Sequence, residues 1–201
     1  MRSNFVLAAL FLAAAVQVFP QTAPAAIESV WQVNAGGGFS EFRTTAGSGL
    51  MEGLTAWADV YPNRGPRFLH GLGVEAEERY IGIGSSSAGN VINNENTGGG
   101  GLIYSLRHFR SFQPYGKFLM MFGTANFNST VPGYTHDTRT IYVPGGGIDY
   151  EIVHHIWIRA DYERQPWPKF FSPKTLYQQG VTIGAFYDFQ HLHTRSHVNE
   201  K

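Results

Sequence analysis

The sequence predicts an all-β fold, namely an eight-stranded, antiparallel, up-and-down transmembrane β-barrel. Two observations support this prediction. Apolar and polar residues alternate along most of the chain, and a short apolar segment near the amino end is typical of an export signal. Side chains point alternately to the two faces of a strand, so each segment has one apolar and one polar face. A barrel with lipid outside and polar groups inside needs that arrangement.

The alternation is clearest in the last third of the chain, in the segments GGGIDYEI (145–152), IWIRADYE (156–163) and GVTIGAFYDF (180–189). The same period extends towards the amino end, which completes a set of eight strands. We place them at residues 30–42, 53–61, 68–84, 100–109, 115–127, 138–153, 156–165 and 177–189. Each strand is close to or above the roughly 9–11 residues that a tilted strand needs to cross the hydrocarbon layer.

The connections between these strands fall into two alternating classes. Those at 43–52, 85–99, 128–137 and 166–176 are long or polar, and those at 62–67, 110–114 and 154–155 are shorter. An up-and-down barrel predicts long loops outside the cell and short turns in the periplasm, with both chain ends on the periplasmic side. The segment 85–101 is rich in Gly and Asn, so we expect a mobile outer loop there.

Composition supports a membrane barrel and excludes several other classes. Charged residues make up 15% of the chain, against about 25% in soluble domains. There is no cysteine, which excludes a disulfide-stapled domain, and acidic and basic residues balance at 15 each, which gives no indication of a nucleic-acid partner. We predict a signal peptide over 1–25 with cleavage after Ala25, a barrel over 26–189, and a polar, His-containing tail over 190–201.

The polar faces define a set of charged groups that we predict to line the lumen as a structural polar network. Because an eight-stranded barrel is barely wide enough for its own side chains, these groups should form ion pairs and hydrogen bonds across it. Acids outnumber bases seven to four, so some acids are expected to reach water near an opening or to hold a proton. The set is Asp59, Glu75, Glu77, Arg79, Arg107, Lys117, Asp149, Glu151, Arg159, Asp161 and Glu163.

Aromatic residues gather near the ends of the predicted strands, where amphipathic rings favour the membrane headgroup region. We interpret them as aromatic girdles of the barrel. They are Trp31, Tyr61, Phe68, Tyr80, Phe109, Tyr115, Tyr142, Trp157, Trp167, Tyr187 and Phe189.

Neither a catalytic site nor a cofactor or metal site is predicted. Ser105 and Ser111 flank His108, but His108 falls on the lipid-facing side of its strand, so we interpret it as an isolated surface histidine. The tail holds three histidines at 191, 193 and 197, and His154 and His155 are expected on the same rim. A flexible tail without an ordered second shell of ligands makes a weak metal site.

With its strand pattern and a last strand that ends in an aromatic residue, Phe189, the chain resembles the OmpA/OmpX-like family of eight-stranded outer-membrane barrels. The resemblance covers roughly residues 27 to 189 and implies a short single-domain member. It also implies that the barrel-assembly machinery reads the terminal strand. Twelve residues follow Phe189, whereas family barrels often end at that aromatic. The peptidoglycan-binding domain of larger family members has no counterpart here.

Three functions remain open at this point. The first is a non-enzymatic structural or surface-interaction role in the outer membrane, with lipids as surroundings and the long loops as the contact surface for an extracellular partner. In that case polar side chains plug the lumen. The second is a narrow channel or transporter for small solutes or protons, and the third is a lipid-modifying outer-membrane enzyme.

Overall fold

The computed structural model describes residues 31–44, 50–62, 66, 69, 71–83, 92–106, 111–127, 135–168 and 175–189. Within these residues, eight antiparallel strands close into one barrel in which each strand is hydrogen-bonded to its sequence neighbours and β8 is hydrogen-bonded to β1. No helix in this part of the chain is long and apolar enough to span a membrane. The strands are β1 Trp31–Thr44, β2 Leu50–Pro62, β3 Leu72–Ile83, β4 Ile92–Ser105, β5 Phe112–Phe127, β6 His136–Val153, β7 Ile156–Trp167 and β8 Leu176–Asp188.

The up-and-down order gives the barrel two distinct ends. Strand β1 begins and β8 finishes at the same end, which we call the terminal rim. The opposite end, where β1 finishes and β8 begins, is called the loop rim. Odd-numbered strands run from the terminal rim to the loop rim, and even-numbered strands run back.

Apolar side chains cover the outside of the barrel, while charged side chains point inward. Ile183 is 62% exposed on the outer wall, whereas Arg159 on the neighbouring strand is 1% exposed in the lumen. This is the sidedness that a transmembrane barrel requires. Other outward apolar residues include Trp31, Phe39, Leu54, Val74, Leu102, Phe118, Met120, Phe122, Ile148, Ile158 and Val181.

The strands are staggered, and the stagger follows from the pairing register. A path through hydrogen-bonded partners that starts at Gly73 on β3 and circles the barrel once returns to β3 at Ile83. The path has therefore climbed ten residues along the strand (83 − 73 = 10). Such a stagger tilts the strands and, with eight of them, leaves an interior that side chains fill.

Strand β4 is the largest departure from the sequence prediction. It begins at Ile92, so the predicted start at residue 100 is wrong and much of the expected outer loop 85–101 is strand. The glycines that indicated a loop have a steric role instead: a Cβ atom on Gly99 or Gly101 would clash with the carbonyl oxygens of Met120 and Phe118 on β5. Glycine here permits close strand approach.

The predicted alternation of connection lengths is only partly observed. Strand β3 begins at Leu72 rather than residue 68, so the connection 63–71 is longer than the connection 45–49 at the opposite rim. The loop rim is therefore not marked by uniformly longer connections. The turn predicted at 154–155 is present, and His155 adopts a left-handed backbone conformation there with φ of 74°.

The interpretation of the strand-end aromatics as girdles is correct for some residues and wrong for others. Trp31, Tyr80, Tyr142 and Phe189 are exposed on the outer wall, and Tyr187 is half-buried. Four rings point into the lumen instead, because they lie on the polar face of their strands: Tyr61, Tyr115, Trp157 and Trp167. Phe68 and Phe109 lie outside the described residues, as do the predicted signal peptide and the tail over 190–201.

A charged group at the centre of the apolar outer wall is expected to oppose insertion. Replacing Ile183 by Arg should lower the free energy of unfolding by about 2–4 kcal/mol, because the guanidinium would face hydrocarbon. The measurement is denaturant unfolding in lipid vesicles, followed by the gel mobility of unboiled protein. His136→Arg is the matched control, because His136 is exposed at the loop rim. Equal effects of the two changes would contradict the assignment of the lipid-facing wall.

Candidate functional site in the barrel lumen

Lys117 on β5 is the centre of the lumen network. Its ammonium Nζ donates to Glu75 Oε1 at 2.9 Å and to Glu77 Oε2 at 2.8 Å, both on β3. On β7, on the opposite side of the barrel from β3, it contacts Glu163 Oε1 at 2.6 Å and Asp161 Oδ2. One base therefore neutralises carboxylates from two other strands and joins them through the lumen.

A glycine on the neighbouring strand makes room for this lysine. Gly145 on β6 pairs with both Lys117 and Glu163 and faces inward. A Cβ atom at Gly145 would lie 3.2 Å from Lys117 Cε and 2.9 Å from Glu163 Cγ. Both approaches are tighter than normal van der Waals contact, so any larger residue would push the lysine or the glutamate out of position.

Arg79 on β3 forms a second centre nearer the loop rim. Its guanidinium contacts Glu77 and reaches Glu163 Oε2 on the opposite strand at 2.8 Å. Its Nε donates to Thr55 Oγ1 at 2.9 Å. The Ser40 hydroxyl is hydrogen-bonded to the hydroxyls of both Thr55 and Thr182. The planar fork of arginine suits such convergent acceptors.

Arg159 on β7 forms the third centre, towards the terminal rim. It makes a two-pronged bond to Asp149 at 2.9 and 3.0 Å and also binds Asp59 at 2.8 Å and Glu75 at 2.9 Å. Its guanidinium carbon lies 4.6 Å from the ring centre of Tyr115 and also lies over two further aromatic rings, those of Trp57 and Phe186. Carboxylates and ring faces together surround the charge.

Glu75 joins two of the three centres into one network. Its Oε1 accepts from Lys117 and its Oε2 accepts from Arg159, so the ion pairs continue from the middle of the lumen towards the terminal rim. Glu163 similarly links Lys117 with Arg79. The network is therefore continuous rather than a set of separate salt bridges.

A layer of mainly apolar side chains fills the lumen between this network and the loop rim. Trp167 is fully buried at its centre, and it occupies space left by Gly123, where a Cβ atom would clash with the indole ring. The layer consists of Phe42, Met51, Ile81, Ile92, Leu119, Met121, Ala125, Ile141, Val143, Trp167 and Leu176. Three buried polar side chains lie among these residues: Glu95 pairs with Ile81 and Ala125, and Gln165 and Gln178 pair with each other next to Trp167 and Leu176.

Nine of the eleven charged residues singled out from the sequence are buried together in the lumen. Glu151 shares their face but lies at the terminal rim, where its side chain is 34% exposed beside His154. Arg107 lies outside the described residues. The nine are Asp59, Glu75, Glu77, Arg79, Lys117, Asp149, Arg159, Asp161 and Glu163.

Sequence reasoning missed several polar lumen residues. Glu95 is fully buried and accepts a hydrogen bond of 2.7 Å from Gln178 Nε2, but it lies in the Gly- and Asn-rich segment that was assigned to a loop. Gln165 is also buried and donates to Glu163 at 3.4 Å. The alternation of Glu95 and Thr97 with Asn96 and Gly98 is the signal that could have revealed a strand there.

The carboxylates of Glu77, Asp161 and Glu163 lie close enough to bind a metal ion, with oxygens within 4.8 Å of one another. All three contact the Lys117 ammonium, which therefore already lies where a bound cation would lie. The geometry fits an internal ion-pair network better than a metal centre. The effect of this ion-pair network is to hold opposite walls of the barrel together.

A closed eight-stranded barrel with an apolar outer wall and a charged interior defines the class of integral outer-membrane β-barrel proteins. Residues 6–189 match the model of the family described as outer membrane protein beta-barrel domain, and the chain belongs to that family. The protein is accordingly located in the outer membrane.

Solved structures show the same fold at low sequence identity. The Neisserial surface protein A (NspA) is 15% identical with a TM-score of 0.59, and the match covers 80% of this chain and 98% of that one. Ail, the attachment invasion locus protein of Yersinia pestis, is 17% identical with a TM-score of 0.55, over 79% of this chain and 99% of that one. Comparison with curated protein sequences gives no significant match.

Removal of the central lysine should destabilise the barrel strongly. Lys117→Met is expected to lower the free energy of unfolding by about 3–5 kcal/mol, because four buried carboxylates lose their shared base. Unfolding in lipid vesicles measures the effect. Combining Lys117→Met with Glu163→Gln should recover part of the loss, since one uncompensated negative charge is removed.

The control for this experiment is Arg139→Met. Arg139 bonds Asp137 at 2.9 Å at the loop rim, but its side chain is 42% exposed. Its loss is expected to change stability by no more than about 1 kcal/mol. If the two substitutions had the same small effect, Lys117 would not be the centre of a stabilising network.

Proposed function

We propose that this protein is a sealed outer-membrane scaffold with a structural or surface-interaction role, rather than a channel or an enzyme. One observation supports the proposal: the described lumen is filled in two successive layers, first by ion pairs and then by mainly apolar side chains. Solutes would have to displace both layers. The cost of separating Lys117 from its four carboxylates opposes any such opening.

The hairpin of β5 and β6 supports a role at the cell surface. These strands have 16 and 18 residues, well beyond the roughly 9–11 needed to cross the hydrocarbon layer. Their pairing continues to Asn126 and His136 at the loop rim, and Thr124 and Thr138 share a hydrogen bond of 2.9 Å on the outer face. A rigid, polar hairpin of this kind suits contact with an external partner.

The similar folds of known surface proteins agree with this role. NspA is described as a surface protein, and Ail as an attachment invasion locus protein that was crystallised with a heparin analogue, sucrose octasulfate. At this identity the likeness concerns the fold. We propose outer-membrane lipids as the surroundings, and we propose that the barrel-assembly machinery reads the last strand, whose outward side runs from Tyr177 to Tyr187 with Phe189 following.

The local environment of the candidate serines supports a non-enzymatic role. Ser105 faces the lumen, is 8% exposed and shares a hydrogen bond of 3.0 Å with Tyr61. Ser111 lies in the connection before β5, and His108 lies outside the described residues. A hydrolase needs a nucleophile that a lipid substrate can reach, and a hydroxyl held inside the lumen does not meet that need.

A sealed lumen predicts no steady open-channel current. Purified protein inserted into planar bilayers should leave the bilayer conductance unchanged, because buried side chains fill both layers of the described lumen. An open porin in the same bilayer is the positive control, and a shift in gel mobility on boiling checks that the protein is folded. Reproducible single-channel steps from the wild type would favour a narrow channel and overturn the sealed scaffold.

The structural and surface-interaction roles are distinguished by altering only the loop-rim connections. Short Gly-Ser segments would replace residues 45–49, 84–91 and 128–134 in one variant, and a deletion strain would receive either that variant or the wild type. If the role is structural, both should restore resistance to detergent. If it is surface interaction, only the wild type should restore attachment to a heparin-coated surface, which is chosen because of the heparin analogue bound to Ail. Failure of the wild type in both assays would reject the proposed roles.

A further inference from the structure

A carboxylate lies on the lipid-facing wall, where an isolated charge is costly. Glu78 on β3 is exposed on the outer side of the barrel, between Ala76 below it and Tyr80 above it on the same strand. Its direct cross-strand neighbours are Ala56 on β2 and Gly98 on β4. The side chain of glutamate is too short to reach headgroups far along the wall, so a partner within the membrane would relieve this cost.

Small side chains lie next to Glu78 on the outer wall. Alanine and glycine occupy the outward positions beside Glu78 and on its terminal-rim side, whereas Leu54, Tyr80 and Asn96 lie on its loop-rim side. A Cβ atom added at Gly98 would meet no atom within 4 Å. Small residues allow close approach of a second protein surface in a membrane. This patch, which we call the acidic hollow, consists of Ala56, Ala58, Ala76, Glu78, Gly98 and Gly100.

The opposite side of the barrel carries a protruding basic surface. Arg164 on β7 is exposed on the outer wall between Tyr162 and Pro166, and its guanidinium carbon lies 4.8 Å from the ring centre of Tyr177 on β8. Tyr162 and Tyr177 are themselves exposed. We call these three side chains, Tyr162, Arg164 and Tyr177, the basic ridge.

The register places the two surfaces at nearly equal depth and on opposite sides. The hydrogen-bonded path from Gly73 climbs ten residues in eight steps, and after four steps, half-way around the barrel, it reaches Glu163 on β7. Half of the climb is five residues, so Glu163 is level with residue 78 of β3 (73 + 5 = 78). Arg164 therefore lies one residue closer to the loop rim than Glu78.

We propose that copies of this protein associate side by side in the outer membrane, with the basic ridge of one copy seated in the acidic hollow of the next. Because the two surfaces lie on diametrically opposed strands at matching depth, a translation within the membrane plane brings Glu78 of one copy to Arg164 of its neighbour. The contact uses different surfaces on each side, so it does not close into a dimer and generates an open row. This goes beyond the scaffold role and does not depend on it.

The absence of cysteine from the chain allows a direct test. The double variant Glu78→Cys with Arg164→Cys, in native outer membranes, would be treated with a short bismaleimide crosslinker. Each copy then carries one thiol on each side, so denaturing gels should show a ladder of dimers, trimers and longer chains. A mixture of the two single variants should give dimers only, and each single variant alone should remain monomeric.

A matched control lies a quarter turn away on another pair of opposed strands, β1 and β5. Phe39 on β1 and Met120 on β5 are both exposed on the outer wall. The hydrogen-bonded path from Lys117 on β5 reaches Phe42 on β1 after four steps, so Phe42 is level with residue 122 of β5 (117 + 5 = 122). Phe39 is then level with residue 119, and Met120 lies one residue closer to the loop rim. The pair Phe39→Cys with Met120→Cys should crosslink no more than random collisions allow. Equal ladders from both pairs would overturn the proposal.

Charge reversal tests the ion pair itself. Copies carrying a fluorophore at Ser111→Cys, reconstituted at low density in lipid vesicles, should show energy transfer above that of a random distribution. Glu78→Arg or Arg164→Glu alone should abolish the excess, and the two reversals together should restore it. Absence of excess transfer between copies with the wild-type outer wall, or retention of it in either single reversal, would overturn the proposal. The conductance experiment above is unaffected by either outcome.

Discussion

The narrow lumen dictates most of this structure. Eight strands enclose just enough space for side chains, so the charge on Lys117 can be neutralised only by other parts of the protein. An unpaired charge there would cost several kcal/mol, on the order of the whole stability of a small domain. Inward glycines such as Gly145 and Gly123 follow from the same constraint, because each leaves room for one large neighbour. The filled interior is thus a consequence of barrel size.

The two-residue alternation of apolar and polar side chains was enough to predict the fold and to predict that most of the charged side chains point into the barrel. The prediction of a barrel is confirmed, and Asp149, Arg159 and Asp161, which lie on strands with clear alternation, are buried in its interior. The strands β6 to β8 were therefore located almost to the residue. Successive side chains of a strand point to opposite faces, so the sequence alone shows which residues share a face.

What sequence could not provide depends on register and on contacts across the lumen. Glu95 was missed because glycine and asparagine around it favour a loop, and the need for small residues beside β5 is visible only once the strands are paired. The apolar layer at Phe42 and Trp167 breaks the rule of polar interiors, since a lumen residue away from water packs as a core does. The partners of Lys117 lie 40 or more positions away in sequence, and no local pattern encodes them.

The cross-lumen ties have a consequence for how the barrel is made. Arg79 on β3 bonds Glu163 on β7, and Arg159 on β7 bonds Asp59 on β2, so the charged pairs join strands that are not adjacent in the sheet. An incomplete sheet that lacks β7 and β8 leaves Asp59 and Glu75 without Arg159, and Arg79 without Glu163. These pairs form only when β7 joins the sheet, so an incomplete barrel carries unpaired interior charges. We therefore expect incomplete barrels to be less stable in lipid than the closed one.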